Sequence, residues 1–206
     1  MTVKAYFRQG FRFVNFLVSL LKKMDFIGIL ALRLYLAPIF FFAGYHKYES
    51  IDAIIDWFGS PDGLGLPFPV IMAWLATLTE LFGSFLLVVG LGVRFIAIPL
   101  LVTMLVAITT VHGPFGWLAV SNPDPAFFAN ERVIASAEKL EKAKEILQAH
   151  GNYEWLTSSG NFVILNNGIE FAVTYLIMLL VLISSGGGRF VSLDDWLYRF
   201  CLKTLK

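Results

Sequence analysis

The sequence predicts an all-α membrane protein: a bundle of four transmembrane helices, with amphipathic interfacial helices at both termini and a helical outer loop. Three observations carry this. Of the 206 residues, 57% are hydrophobic and only 15% charged, with a mean hydropathy of +0.71, against about 45–50% apolar and about 25% charged in a soluble domain. A domain of this size has too little interior to hide that much apolar side chain from water. Four segments of about 20 residues each carry at most one charge, the length a helix needs to cross the hydrocarbon. The polar residues concentrate between and beyond those segments.

The elements follow in order. Residues 1–24 place Phe7, Phe11, Val14, Leu17 and Leu21 on one helical stripe and Arg8, Arg12, Asn15 and Lys22 on the other. That is the pattern of a helix lying in the headgroups. No small-residue cleavage site follows, so the segment is expected to be retained rather than removed as a signal peptide. Residues 25–112 hold the first three spans, at 26–45, 70–89 and 93–111, with Pro99 expected to kink the third. A short helix is expected at about 50–58 in the first outer connection. Residues 113–164 form a long outer, periplasmic loop, and a connection of that length needs structure of its own. Within it, Asn130 can cap a helix over 131–149 that Gly151 ends. Residues 165–188 hold the fourth span, at 165–185, with Gly186, Gly187 and Gly188 as a hinge. Residues 189–206 form a second interfacial helix, which Ser192 can cap, with Asp194 and Asp195 in its first turn.

Orientation follows from the cations. With both termini inside, ten Lys and Arg fall on the inner side and five on the outer. The expectation is a multi-pass protein of a bacterial cytoplasmic (inner) membrane with both termini cytoplasmic. Sixteen basic against fifteen acidic residues give no reason to expect a nucleic-acid partner. One cysteine, Cys201, excludes an intrachain disulfide or a CxxC pair.

Ionisable residues inside a bilayer are costly and tend to be functional. Arg33 in the first span and Glu80 in the second are expected to pair as a register-fixing lock. Arg94 is expected to snorkel to the inner headgroups. His46 and Lys47 end the first span, His112 ends the third, and Asn167 and Glu170 stand early in the fourth, with Asn166 a turn before Glu170. These five, His46, Lys47, His112, Asn167 and Glu170, are the candidate ligand pocket on the outer half. The plainer reading makes His46 and Lys47 interfacial anchors. His46, His112 and Glu170 are suitable metal ligands by type, but their spacing matches no metal motif, so no metal is assigned.

Taken together, Leu32-Arg33-Leu34, the run from Phe41 to Lys47, the turn Leu66-Pro67-Phe68-Pro69, Glu80, the turn from Gly90 to Arg94 and Asn167-Gly168-Ile169-Glu170 resemble the DoxX family of small four-helix bacterial membrane proteins. The amphipathic N-terminus and the long outer loop depart from the family's shorter pattern. The resemblance implies a membrane subunit with a quinone or redox connection, and it carries no catalytic role to any residue. Three functions compete: an accessory or quinone-linked subunit of a membrane redox system, a non-enzymatic scaffold recruiting a protein partner through the outer loop, and an export helper for a small solute or metal-bearing peptide. The expected surroundings are the lipid bilayer and a protein partner at the outer loop. Quinone is the candidate small molecule, and small residues around Gly83 and Ser84 offer a face for oligomerisation.

Overall fold

The computed structural model describes residues 3–122, 124 and 127–204, with side chains from residue 12 onward except Lys23. Expectations for the side chains before residue 12 and for Lys206 lie outside these. The described chain is helical: α1 (Val3–Lys23), α2 (Asp25–Glu49), α3 (Ile51–Gly59), α4 (Pro69–Val89), α5 (Val93–Val106), α6 (Glu131–His150), α7 (Tyr153–Leu156), α8 (Glu170–Ser185) and α9 (Leu193–Thr204). It divides into two compact units, residues 1–100 with 178–206 and residues 101–177.

Three helical stretches are long and apolar enough to cross a membrane: Arg12–Glu49, Pro69–Val89 and Val93–Phe115. The fourth expected span is shorter than its apolar run, because helix begins only at Glu170 and continues for 16 residues. Before it, residues 165–169 are extended or turn. Leu165 bridges Val120 antiparallel. The N–H groups of Asn166 and Asn167 both donate to Ala119 O, that of Gly168 donates to Leu118 O, and that of Glu170 to Trp117 O. Asn167 sits at φ +62, a left-handed conformation that Asn tolerates better than most residues. The Asn-Asn-Gly turn chemistry thus overrides the apolar neighbours, and Asn166 and Asn167 precede the helix instead of facing out from it. In the third span Pro99 lies within α5, and a π-helical segment follows at Ala107–His112, then a 3-10 turn at Gly113–Phe115. Thr109 and Thr110 hydroxyls donate back to the carbonyls of Leu105 and Val106 there, competing with the regular ladder.

In the first unit, α2 and α4 pack antiparallel: contacts that rise along α2, at Arg33, Gly44 and Tyr48, fall along α4, at Leu87, Glu80 and Trp74. The packing is inverted relative to a water-soluble helix. The buried positions of α4 are Ala73, Thr77, Glu80, Gly83, Ser84 and Leu87, spaced three and four apart, mostly small or polar. Its large apolar side chains point out, with Phe82 and Phe85 64% and 65% exposed. Small residues inside and Phe outside are what a hydrocarbon solvent permits, because lipid solvates Phe while close helix contact needs small side chains. Gly44 marks the closest approach: a Cβ there would come within 3.0 Å of Glu80 Cβ and of Leu81 N.

In the second unit, Asn130 starts α6 by accepting from Val133 N at 2.9 Å, and its amide donates to Phe115 O at 3.1 Å. Asn166, only 1% exposed, donates to Phe115 O and Leu118 O at 2.8 and 2.7 Å. Two asparagines thus pin the 115–118 segment to the start of α6 and to the approach to α8. Arg132 stacks over the Phe115 ring at 4.5 Å, and Trp117 on Phe128 at 5.6 Å.

Candidate functional site

Glu80 does not pair with Arg33. Its partner is Lys47, whose Nζ stands 2.6 Å from Glu80 Oε2. The reason is axial distance. Arg33 reaches α4 at Leu87 and Val88, seven and eight residues from Glu80, which is about 10–12 Å at 1.5 Å per residue. Lys47 lies almost one turn beyond Gly44, on the stretch where α2 comes against Glu80. Gly44 brings the backbones together, and Lys47 then spans the remaining gap. Glu80 is buried, and the Lys47 side chain is 24% exposed. The pair is therefore open on the lysine side only. Close by, Tyr48 packs edge-on against Trp74, ring centroids 6.3 Å apart, and Thr77, one turn before Glu80, bonds back to Ala73 O. A charge-assisted pair of this length is strong where water is scarce.

Arg33 does different work. It is fully buried. Its Nε donates to Leu87 O at 2.7 Å, Nη2 to Val88 O at 2.8 Å, and Nη1 to Gly187 O at 2.6 Å and Val191 O at 3.2 Å. A helix leaves its last carbonyls without intrahelical partners and bears partial negative charge at that end. One guanidinium satisfies the end of α4 and the Gly-rich turn after α8 together. Across the junction, Asp194 accepts from the N–H of Gly92 at 2.7 Å and of Val93 at 3.1 Å, capping the start of α5. Gly90 (φ +72) sits against the Arg33 guanidinium so closely that a Cβ would collide with Nη2. Ser192 accepts from Asp195 N at 3.2 Å at the start of α9. Asp195 takes Phe190 N–H and the Arg199 guanidinium, each at 2.9 Å. The Phe190 N–H, with Arg199 adding to it, holds the Asp195 carboxyl below its usual range.

The five expected pocket residues fall in both units. His46 and Lys47 are in the first. His46 is exposed, 3.9 Å from Glu49, while Lys47 holds Glu80. His112, Asn167 and Glu170 are in the second, where bonds tie Asn167 and Glu170 to the 117–119 segment and His112 to Asn167. His112 Nδ1 is 2.8 Å from Asn167 O, and Glu170 Oε2 accepts from Ala119 N at 3.0 Å. Glu170 thus closes the loop before its own helix. The Lys47–Glu80 pair escaped the sequence reading. Gly44, three residues before Lys47, was the available signal for a close helix approach.

These features define a class: small helical membrane proteins whose tightly packed spans carry a buried ion pair. Residues 28–113, the stretch holding Arg33, Lys47, Glu80 and Arg94, match the family model described as DoxX. Over 85 residues the chain is 36% identical to a Bacillus subtilis (strain 168) protein named "Putative oxidoreductase CatD", an alignment covering 41% of this chain and 60% of that relative. No solved structure matches the chain.

Proposed function

We propose that the protein is an accessory, quinone-linked subunit of a membrane redox system, and that the Lys47–Glu80 pair is its polar site. In this reading the chain crosses a bacterial inner membrane four times with both termini cytoplasmic, α8 supplying the short fourth span. The terminal helices lie at the interface, and the domains are those bounded at 24, 112, 164 and 188. The carrying observation is a 2.6 Å ion pair, closed on the glutamate side and open on the lysine side, between apolar helices. Reducing a quinone takes two electrons and two protons. Lys47 Nζ would donate a hydrogen bond to a carbonyl oxygen and give it one proton, Glu80 would hold the compensating charge, and the second proton and the one that recharges Lys47 would come from water on the open lysine side. With one cysteine in the chain, the electrons come from a partner subunit or a diffusible reductant. The name of the similar Bacillus protein points the same way.

The test uses protein purified in native lipid, with its co-purifying proteins, titrated with a short-chain quinone. The expected result is saturable binding that Lys47→Met weakens about tenfold or more, a loss of about 1.4 kcal/mol. Glu80→Gln should bind quinone but turn over more slowly. Wild-type protein that neither binds nor reduces quinone with its partner present refutes the reading.

The second unit favours a companion role as a scaffold. It exposes Phe127, Ile134, Ile146 and Trp155, with Phe127 89% and Trp155 71% exposed. Deleting residues 130–151 should then abolish partner pull-down and leave the first unit folded. Unchanged capture by the deletion variant counts against the scaffold.

A further inference from the structure

The first unit holds a cleft of about 760 Å³ beside the Arg33 junction. It lies where α2 and α5 begin and α8 ends, with Asp25, Phe26, Arg94, Gly186, Arg189 and Tyr198 among its walls. Arg94 lies across Gly186, where a Cβ would come within 2.9 Å of its Nε. Gly186, at φ +77, therefore makes both the turn and the room for the guanidinium. Neither the Arg94 nor the Arg189 guanidinium makes a hydrogen bond or ion pair among the described residues, and the Arg189 charge acts on Asp195 only at longer range. The carboxylates beside them are already engaged: Asp194 by two backbone N–H groups, and Asp195 by Phe190 N–H and Arg199. Asp25 is the one lining carboxylate with no hydrogen bond or ion pair among the described residues. Arg33, fully committed to carbonyls, adds positive charge behind the cleft.

Two guanidinium forks with no hydrogen bond of their own, facing one cleft, match an anion with several oxygens in tetrahedral array. Phe26 and Tyr198 give the same cleft an apolar wall. Its place at the helix ends is the level at which spanning helices meet headgroups. We propose that this cleft binds a phosphate group, supplied by the headgroup of an anionic phospholipid. The site is separate from the Lys47–Glu80 pair, so it stands or falls independently of the quinone reading.

The experiment uses full-length protein in detergent. Native mass spectrometry follows binding of phosphatidylglycerol and of phosphatidylcholine, and thermal unfolding is followed with inorganic phosphate. Arg94→Gln and Arg189→Gln are compared with Lys203→Gln, an exposed cation on α9 outside the cleft. Phosphatidylglycerol affinity should fall about fivefold for each cleft variant and stay unchanged for Lys203→Gln, with phosphatidylcholine bound more weakly throughout. If Arg94→Gln unfolds, Arg189→Gln, on the exposed turn, carries the comparison. Stabilisation by inorganic phosphate through the same two arginines, without preference for phosphatidylglycerol, assigns the same chemistry to a soluble phosphate. Equal phosphatidylglycerol binding by wild type and both cleft variants with no phosphate effect, or an equal loss in Lys203→Gln, overturns the site.

Discussion

Replacing Arg33 by Met removes the charge from a fully buried junction while keeping most of the side-chain volume. Three of its bonds, to Leu87, Val88 and Gly187, are 2.6–2.8 Å long. A bond to a charged group contributes about 1.5–3 kcal/mol, and a buried acceptor left unpaired costs about 1–3 kcal/mol. Three orphaned carbonyls set a ceiling near ~9 kcal/mol. Removing the guanidinium also recovers its own desolvation cost, and water can reach a helix end, so the expected net loss is about 3–5 kcal/mol. For a chain of this length 1 kcal/mol moves the melting temperature by about 2–4 °C, so Arg33→Met should melt at least about 6 °C lower. Arg33→Lys keeps the charge but cannot reach four carbonyls with one ammonium, so it should fall between the two. The assay is thermal unfolding in a mild detergent, read by tryptophan fluorescence and by loss of monodisperse elution. A melting temperature within about 2 °C of wild type for Arg33→Met would show that the carbonyls are satisfied without the guanidinium, and the account of the junction would fail.

Three further outcomes follow from the same geometry. Gly90→Ala places a methyl on the Arg33 guanidinium at a left-handed position and should cost about 1–3 kcal/mol. The double variant with Arg33→Met should cost less than the sum, because the clash with the guanidinium is relieved while that with Ser192 Cβ remains, and strict additivity in the melting temperatures would contradict the contact. Asp195 has a folded pKa held below its unfolded value, chiefly by Phe190 N–H, with Arg199 adding. Its stabilisation is therefore complete above about pH 4 and is lost as pH falls through the folded value. Asp195→Asn should flatten that acid limb for α9, followed by hydrogen exchange along the helix. Asn130→Ala removes the cap of α6 and the bond to Phe115 O. It should cost about 1 kcal/mol and speed exchange at Val133 and Ile134, while equal protection of both amides would argue against the cap.

The sequence by itself determined that the protein is helical and built for lipid, because apolar run length and charge scarcity are local properties. It also carried the DoxX resemblance through Arg33, Lys47, Glu80 and Arg94, and it placed the α6 cap at Asn130, since a cap needs only neighbours in sequence. It could not choose between Arg33 and Lys47 as the partner of Glu80. Both are cations on one helix, and the choice rests on how α2 slides along α4, which the close contact at Gly44 decides. The start of α8 is set by tertiary contacts for a related reason. Residues 165–169 carry no charge and adjoin an apolar run, but the N–H groups of residues 166–169 are taken by the carbonyls of Gly116, Leu118 and Ala119, some fifty positions away. Arg33 as a clasp on two chain ends, and Arg94 and Arg189 around one cleft, likewise exist only once the ends of α2, α4, α5 and α8 have been brought together by packing.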